Sequence, residues 1–161
     1  EFKEALRLIH RYIPQSPASK WLDCEALSRR HGMGKGTLIV LDIPSMPDAP
    51  YQDRQTVLKV SIPNVHKVDE IPSRDQLYVP TSYDLSSKDE ANYWDNQLRE
   101  FNYKHDVEFY EGWVGVRAWS PYPIQLISPS KKSSDWIKHR WPVSDPSEEG
   151  FKNELTKSRA R

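Results

Sequence analysis

The sequence lacks several things, and each absence removes a class of function. A single cysteine, Cys24, leaves no internal disulfide and no cysteine-based zinc site, so a reducing compartment is expected. No run of about 18 apolar residues occurs, so no membrane span is expected. No apolar h-region lies near the start. The chain therefore reads as intracellular, nuclear or cytoplasmic, rather than secreted. Neither charge is in excess: 23 Lys and Arg face 23 Asp and Glu. That argues against a nucleic-acid binder that is polybasic along its whole length. The five histidines are scattered, with no His-x-x-x-His or His-Glu-x-x-His, and no metal or cofactor is expected. Apolar residues are scarce too, at 37%, and the six glycines do not lift that to the usual ~45–50%.

What is present is aromatic. Six Trp, eight Tyr and thirteen Pro stand among the 161 residues. This length fits one domain of the usual ~100–200 residues. We expect a single globular α+β domain over 1–143 and a polar tail or exposed helix over 144–161. The chain opens on Glu1-Phe2 rather than Met, which reads as one module of a larger protein.

Spacing gives the expected elements. Phe2, Ala5, Leu6, Ile9 and Tyr12 recur at three and four, a helix ending before Pro14. Ser16 or Ser19 can cap a second helix, with Trp21, Leu22, Cys24 and Leu27 as its buried stripe. Residues 37–43 are β-branched and continuously apolar, a buried strand. Residues 55–62 alternate as a strand with one wet face, able to pair with 37–43 across a proline loop. A short strand covers 76–79. Ser87 and Glu90 form a capping box that opens a helix over 88–103, packed through Trp94, Leu98 and Phe101. Residues 107–119 predict a hairpin turning at Glu111-Gly112. An edge strand is expected over 124–127, and a short helix through Trp136 and Ile137, capped by Ser134 or Asp135. The order is not a βαβ alternation. It predicts an α+β fold, mainly antiparallel, with two N-terminal helices and a central packed helix.

Zero net charge hides a pattern. Residues 28–36 carry Arg29, Arg30 and Lys35 and no acid. Residues 84–111 carry eight acids against three bases. Residues 128–142 carry Lys131, Lys132, Lys138 and Arg140 against Asp135 alone. Such runs are solvated faces, or two basic patches for a polyanion separated by an acidic face.

Three stretches are candidate sites. Residues 29–37 alternate three glycines around Lys35, either an anion-cradling loop or a plain connection with Gly32 as a helix cap. With Gly32 at a turn and apolar residues six and nine further on, the same stretch resembles a helix-turn-helix. That resemblance implies that Lys35 and Thr37 face a DNA groove. In the second stretch, Tyr110-Glu111-Gly112-Trp113 leads through small apolar residues to Trp119. This resembles the central hairpin of Tudor-like and other SH3-like barrels, which implies a small hairpin unit and a chromatin setting. Physically, Tyr110, Trp113 and Trp119 beside Glu111 suit a methylated ammonium or an arginine by cation–π attraction, unless the rings are core. The third stretch, Trp136 to Trp141, interleaves Lys138 and Arg140 with two tryptophans, either a core-sealing helix or a contact surface. A metal-dependent nuclease reading of Asp48, Asp53 and Lys59 lacks a carboxylate two residues before the lysine, where Val57 stands.

The function expected is a non-enzymatic module that binds a protein or peptide through Tyr110, Glu111, Trp113 and Trp119. The alternative is nucleic-acid binding through Arg29, Arg30, Lys35, Lys131, Lys132, Lys138 and Arg140. A nuclease or hydrolase is the third reading. The partner's identity and the oligomeric state are not set by the sequence.

Overall fold

The computed structural model describes residues 1–13, 21–27, 33–123 and 134–142. The described elements are α1 (Lys3–Tyr12), β1 (Asp23–Leu27), β2 (Thr37–Asp42), α2 (Tyr51–Ser61), β3 (Val65–His66), β4 (Leu77–Pro80), α3 (Lys88–His105), β5 (Gly112–Val116) and β6 (Trp136–Arg140). The fold is α+β. One sheet runs β1-β2-β4-β3 and the other is the β5-β6 pair. Within the first sheet β1 and β2 are antiparallel, whereas β4 runs parallel to both β2 and β3. The first sheet is therefore mixed, and with the β5-β6 pair the longer strand pairings are antiparallel.

Helix α1 forms where its spacing predicts. Ala5 and Leu8 are its buried residues, and Phe2, Ile9 and Tyr12 pack on the core's margin. Leu6, expected in the stripe, points to solvent. The helix stops at Ile13, which is extended because Pro14 follows it. Strand β2 is the centre of the sheet. Thr37, Leu38, Ile39 and Val40 are buried in succession, as a strand covered on both faces requires.

The expected second helix is a strand instead. Residues 16–20 lie outside the described residues, and Asp23–Leu27 form β1, paired with β2 from Leu27↔Thr37 to Asp23↔Asp42. Helix propensity yields here to an unpaired edge of β2, whose backbone groups need partners. Trp21, expected in the core, is 66% exposed. Gly34 and Gly36 take positive φ in the β1–β2 loop, where the chain reverses. Two strands flank that loop, so it is neither a helix-to-strand connection nor a helix-turn-helix.

Residues 55–62 are also reassigned. They lie in α2 and its C-cap Ile62, not in a strand, and do not pair with β2. Arg54, Gln55, Leu58 and Ile62 are buried at helical spacing, while Val57 and Val60 face water. The helix ends as α1 does, at an isoleucine before a proline. Ala5, Leu8, Ile13, Leu38, Val40, Ile43, Leu58, Ile62, Leu77 and Val79 form the core between α1, α2 and the sheet.

The capping box at α3 is built as read. Glu90 N–H donates to Ser87 Oγ at 3.2 Å, and Ser87 N–H donates to Glu90 Oε2 at 3.2 Å. Leu98 and Phe101 are buried as expected; Trp94 is only half-buried. The hairpin over 107–119 does not form. Asn102, buried on α3, occupies the backbone groups of the segment that would have been its first strand. Its Oδ1 accepts from Phe109 N–H at 3.1 Å and Tyr110 N–H at 3.0 Å, and its Nδ2 donates to Tyr110 C=O at 2.7 Å. β5 pairs instead with β6, antiparallel, from Gly112↔Arg140 to Val116↔Trp136. The short helix expected through Trp136 and Ile137 is thus a strand. Gly112 has φ +145°, and a Cβ there would run into the carbonyl oxygen of His139, so the pairing admits only glycine. The edge strand expected over 124–127 and the tail over 144–161 lie outside the described residues.

Candidate functional site

Most of the described aromatic residues lie on α3, on β5 and β6, or on α2 and the turns beside it. Three groups are distinct there. Of the four residues expected to form one site, Glu111 and Trp113 fall in the second group, and Tyr110 and Trp119 stand apart.

The first group surrounds a buried cation. Arg54 and Asp42 are 0% and 1% exposed. Their contact is bidentate: Nε to Oδ1 at 2.7 Å and Nη2 to Oδ2 at 2.9 Å. Arg54 Nη1 donates to the carbonyls of Ala49 and Ser120. Ile43 N–H donates to Asp42 Oδ1 at 2.7 Å. The rings of Tyr51 and Tyr122 each lie 5.6 Å from the guanidinium carbon, and Trp136 meets both rings edge-on. Burial and then Asp42 push the Tyr51 phenol up to about 12. An aromatic enclosure for a guanidinium therefore exists in this chain, but its own Arg54 fills it. Nothing in the sequence pattern marked Arg54, because arginine is rarely fully buried.

The second group docks the β5-β6 pair on α3. Asp95 is the node. Its Oδ1 accepts from Trp113 Nε1 at 3.0 Å and from Trp141 Nε1 at 2.8 Å, and its Oδ2 accepts from Arg99 Nε at 2.9 Å. Arg99 lies over the Trp141 ring at 4.4 Å. His139 stacks on Trp113 at 5.0 Å, with Nε2 3.9 Å from Asp95 Oδ1. Trp113 and Trp141, taken from two separate stretches of sequence, meet here. Their polar atoms are satisfied internally. Glu111 is paired with Arg140 at 2.5 Å. Tyr110 sits apart, donating its hydroxyl to Val68 C=O at 3.2 Å among Phe101, Phe109 and His66. Burial above all, then Tyr83 and Asp69, raises its pKa.

Trp119 is different. It is 69% exposed, on a turn whose backbone is fixed. Ser120 N–H donates to Arg117 C=O at 3.0 Å, and the Ser120 hydroxyl to the same oxygen at 2.8 Å. From the other side, Tyr51 N–H and Gln52 N–H each donate at 2.9 Å, to Ser120 C=O and Ala118 C=O. These are orphan donors of the first turn of α2, so the helix end holds the turn and the turn completes the helix end. Arg117 lies 6.0 Å over the Trp119 ring.

The third group has no counterpart in the sequence reading. Tyr83 and Trp94 stack at 3.5 Å and 19°, and Tyr93 meets Trp94 at 5.1 Å and 77°. Tyr83 and Tyr93 are 39% and 56% exposed, and Leu85, two residues after Tyr83, is exposed too. A stripe of Trp94, Leu98 and Phe101 on a helix reads as core, and that reading conceals a ring whose partner is a surface tyrosine.

The cations of the alternative reading are partly described. Lys35 is half-buried in the β1–β2 loop. Lys138 and Arg140 are exposed on β6. Arg29, Arg30, Lys131 and Lys132 lie outside the described residues. Asp53 and Lys59 stand six residues apart on α2, on different faces, and Lys59 donates to Ser82 Oγ at 2.7 Å. Among the described residues no three His, Cys, Asp or Glu side chains are grouped to hold a metal ion. Burial and then Asp23 push the Cys24 thiol up to about 11, away from the thiolate a nucleophile needs. Cys24 stands on strand β1, not on a helix. No helix among the described residues is long and apolar enough to cross a membrane.

Compared with protein-family models, curated proteins and solved structures, the chain matches none.

Proposed function

We propose that this chain is a binding module for a protein or peptide partner, with Trp119 as its anchor. The observation that carries the reading is an exposed tryptophan on a fixed turn. Placing an indole in water costs hydrophobic free energy. Four hydrogen bonds hold its turn in place, so binding through it costs little conformational entropy. Tryptophan is also the residue type most enriched among the few that dominate protein interfaces. Of the four residues first grouped as a site, Tyr110, Glu111 and Trp113 are engaged within the chain, which leaves Trp119 as the one offered outward.

Selection from a random peptide library displayed on phage tests this. Peptides retained by the wild-type chain should be lost on Trp119→Ala, while the variant keeps a cooperative melt at an unchanged temperature. Equal retention by both proteins overturns the proposal, as does a wild-type chain that retains no peptide. A variant that unfolds would show the ring to be structural and would overturn it as well.

A further inference from the structure

We propose that the face formed by Tyr83, Tyr93 and Trp94 is a second docking surface, which takes a Lys/Arg-rich segment of a partner protein with its cationic side chains lying on the rings. It does not depend on the Trp119 turn.

Geometry makes the platform. Tyr93 and Trp94 are consecutive on α3, and Tyr83 reaches Trp94 from the segment ahead of the helix cap, so two chain segments bring two tyrosine rings against Trp94. Trp94 limits the freedom of both tyrosines, and Leu85, two residues after Tyr83 in the chain, is exposed as well. A contiguous exposed aromatic cluster of this kind is an interaction surface rather than scattered surface apolarity.

Charge selects the occupant. Asp84 adjoins Tyr83 in the chain, and Asp89 lies one turn before Tyr93 on the same helix face. Asp69 acts on the Tyr83 phenol strongly enough to raise its pKa, second only to burial. Lys67 is paired with Glu70 at 2.7 Å and Arg99 with Asp95 at 2.9 Å, while Lys59, bonded to the neutral Ser82 hydroxyl, keeps its charge. Lys88 is exposed on the first turn of α3. Ring faces and carboxylates both attract a guanidinium or ammonium group, and the carboxylates repel phosphate. The surface thus suits a basic peptide and disfavours nucleic acid.

Fluorescence anisotropy with a labelled twelve-residue peptide of alternating Arg and Ser, at about 50 mM salt where screening is mild, tests the proposal. The wild-type chain should bind it saturably, and the peptide with Gln in place of Arg should not bind. Tyr93→Ala, the double variant Asp84→Asn/Asp89→Asn and Tyr83→Leu should each weaken binding roughly three- to tenfold, and Trp119→Ala should leave it unchanged. Tyr93 is largely exposed, so its variant should melt as the wild type does and decides the matter if Tyr83→Leu destabilises the fold. The proposal is overturned if Tyr93→Ala binds as tightly as wild type, if the Gln peptide binds equally, or if no saturable binding occurs. Loss of the Trp119 reading would leave these outcomes unaffected, because the Arg peptide is titrated directly.

Discussion

The two sides of this molecule are built from different chemistry. The side made by α1, α2 and the four-stranded sheet is aliphatic: Leu, Ile, Val and Ala close a core with no aromatic ring among its fully enclosed described residues. The side made by α3, β5 and β6 is aromatic and polar. There, tryptophans are fixed by a carboxylate, an asparagine replaces a strand, and rings lie half in water. The first side is held by non-directional burial, which tolerates many sequences of suitable volume. The second is held by directed hydrogen bonds, which fix a few residues and leave others available. The proposed binding surfaces lie on the second side and at its boundary, where several rings remain exposed.

The sharpest way to break this division is at its joint. Arg54→Met leaves the Asp42 carboxylate buried without its partner, and should cost about 3–5 kcal/mol in a urea titration. Because the guanidinium also binds the Ser120 carbonyl, both sides should lose structure together, in one transition. Two separated transitions would show the sides to be independent. Next in size is Asp95→Ala, which strips three hydrogen bonds from the aromatic side alone. A loss of roughly 2–3 kcal/mol is expected. Tryptophan emission should change while the amides of β2 keep their exchange protection, and equal loss in β2 would contradict the division.

A smaller effect is expected from pH. His66 is buried between the two sides, its Nε2 3.0 Å from the Glu70 carbonyl. Burial lowers its pKa, against the opposing pull of that hydrogen bond and of the Glu70 carboxylate. The unfolded chain then binds the proton more readily than the native one. Stability contributed by the neutral ring is complete above the ordinary imidazole value of about 6.5 and declines as pH falls towards the depressed native value. His66→Gln should flatten that decline in melting temperature between about pH 7 and 5; an unchanged slope assigns it to other groups. The smallest effect belongs to Trp119→Ala, within about 0.5 kcal/mol. A larger cost would move Trp119 from the surface into the scaffold.

What was legible in the sequence follows the same line. α1, β2, β4 and α3 carry their signals locally, in periodicity, β-branching or a capping box. β1, α2 and β6 do not. Residues 55–62 satisfy a period of two and a period of 3.6 together, and only the burial of Arg54 just ahead and of Gln55 at their start decides for the helix. Residues 107–110 alternate as a strand should, yet Asn102, close in sequence but on a helix, takes their hydrogen bonds. The candidate site was legible in part. Trp119 was named from its place beyond a glycine turn, although that turn does not form. The Tyr83–Trp94 stack was not, because helical spacing cannot tell a ring under the core from one leaning on a surface neighbour.

Arg54 also sets an order in time. Its partners Asp42 and Ala49 precede it in the chain, but the Ser120 carbonyl lies 66 residues further on, with Tyr122 beyond it. During synthesis the whole four-stranded sheet emerges while that guanidinium still lacks its last acceptor and its second ring. The nascent sheet is then complete in its strands yet unfinished at its buried charge, and it reaches its final form only when the turn bearing Trp119 arrives.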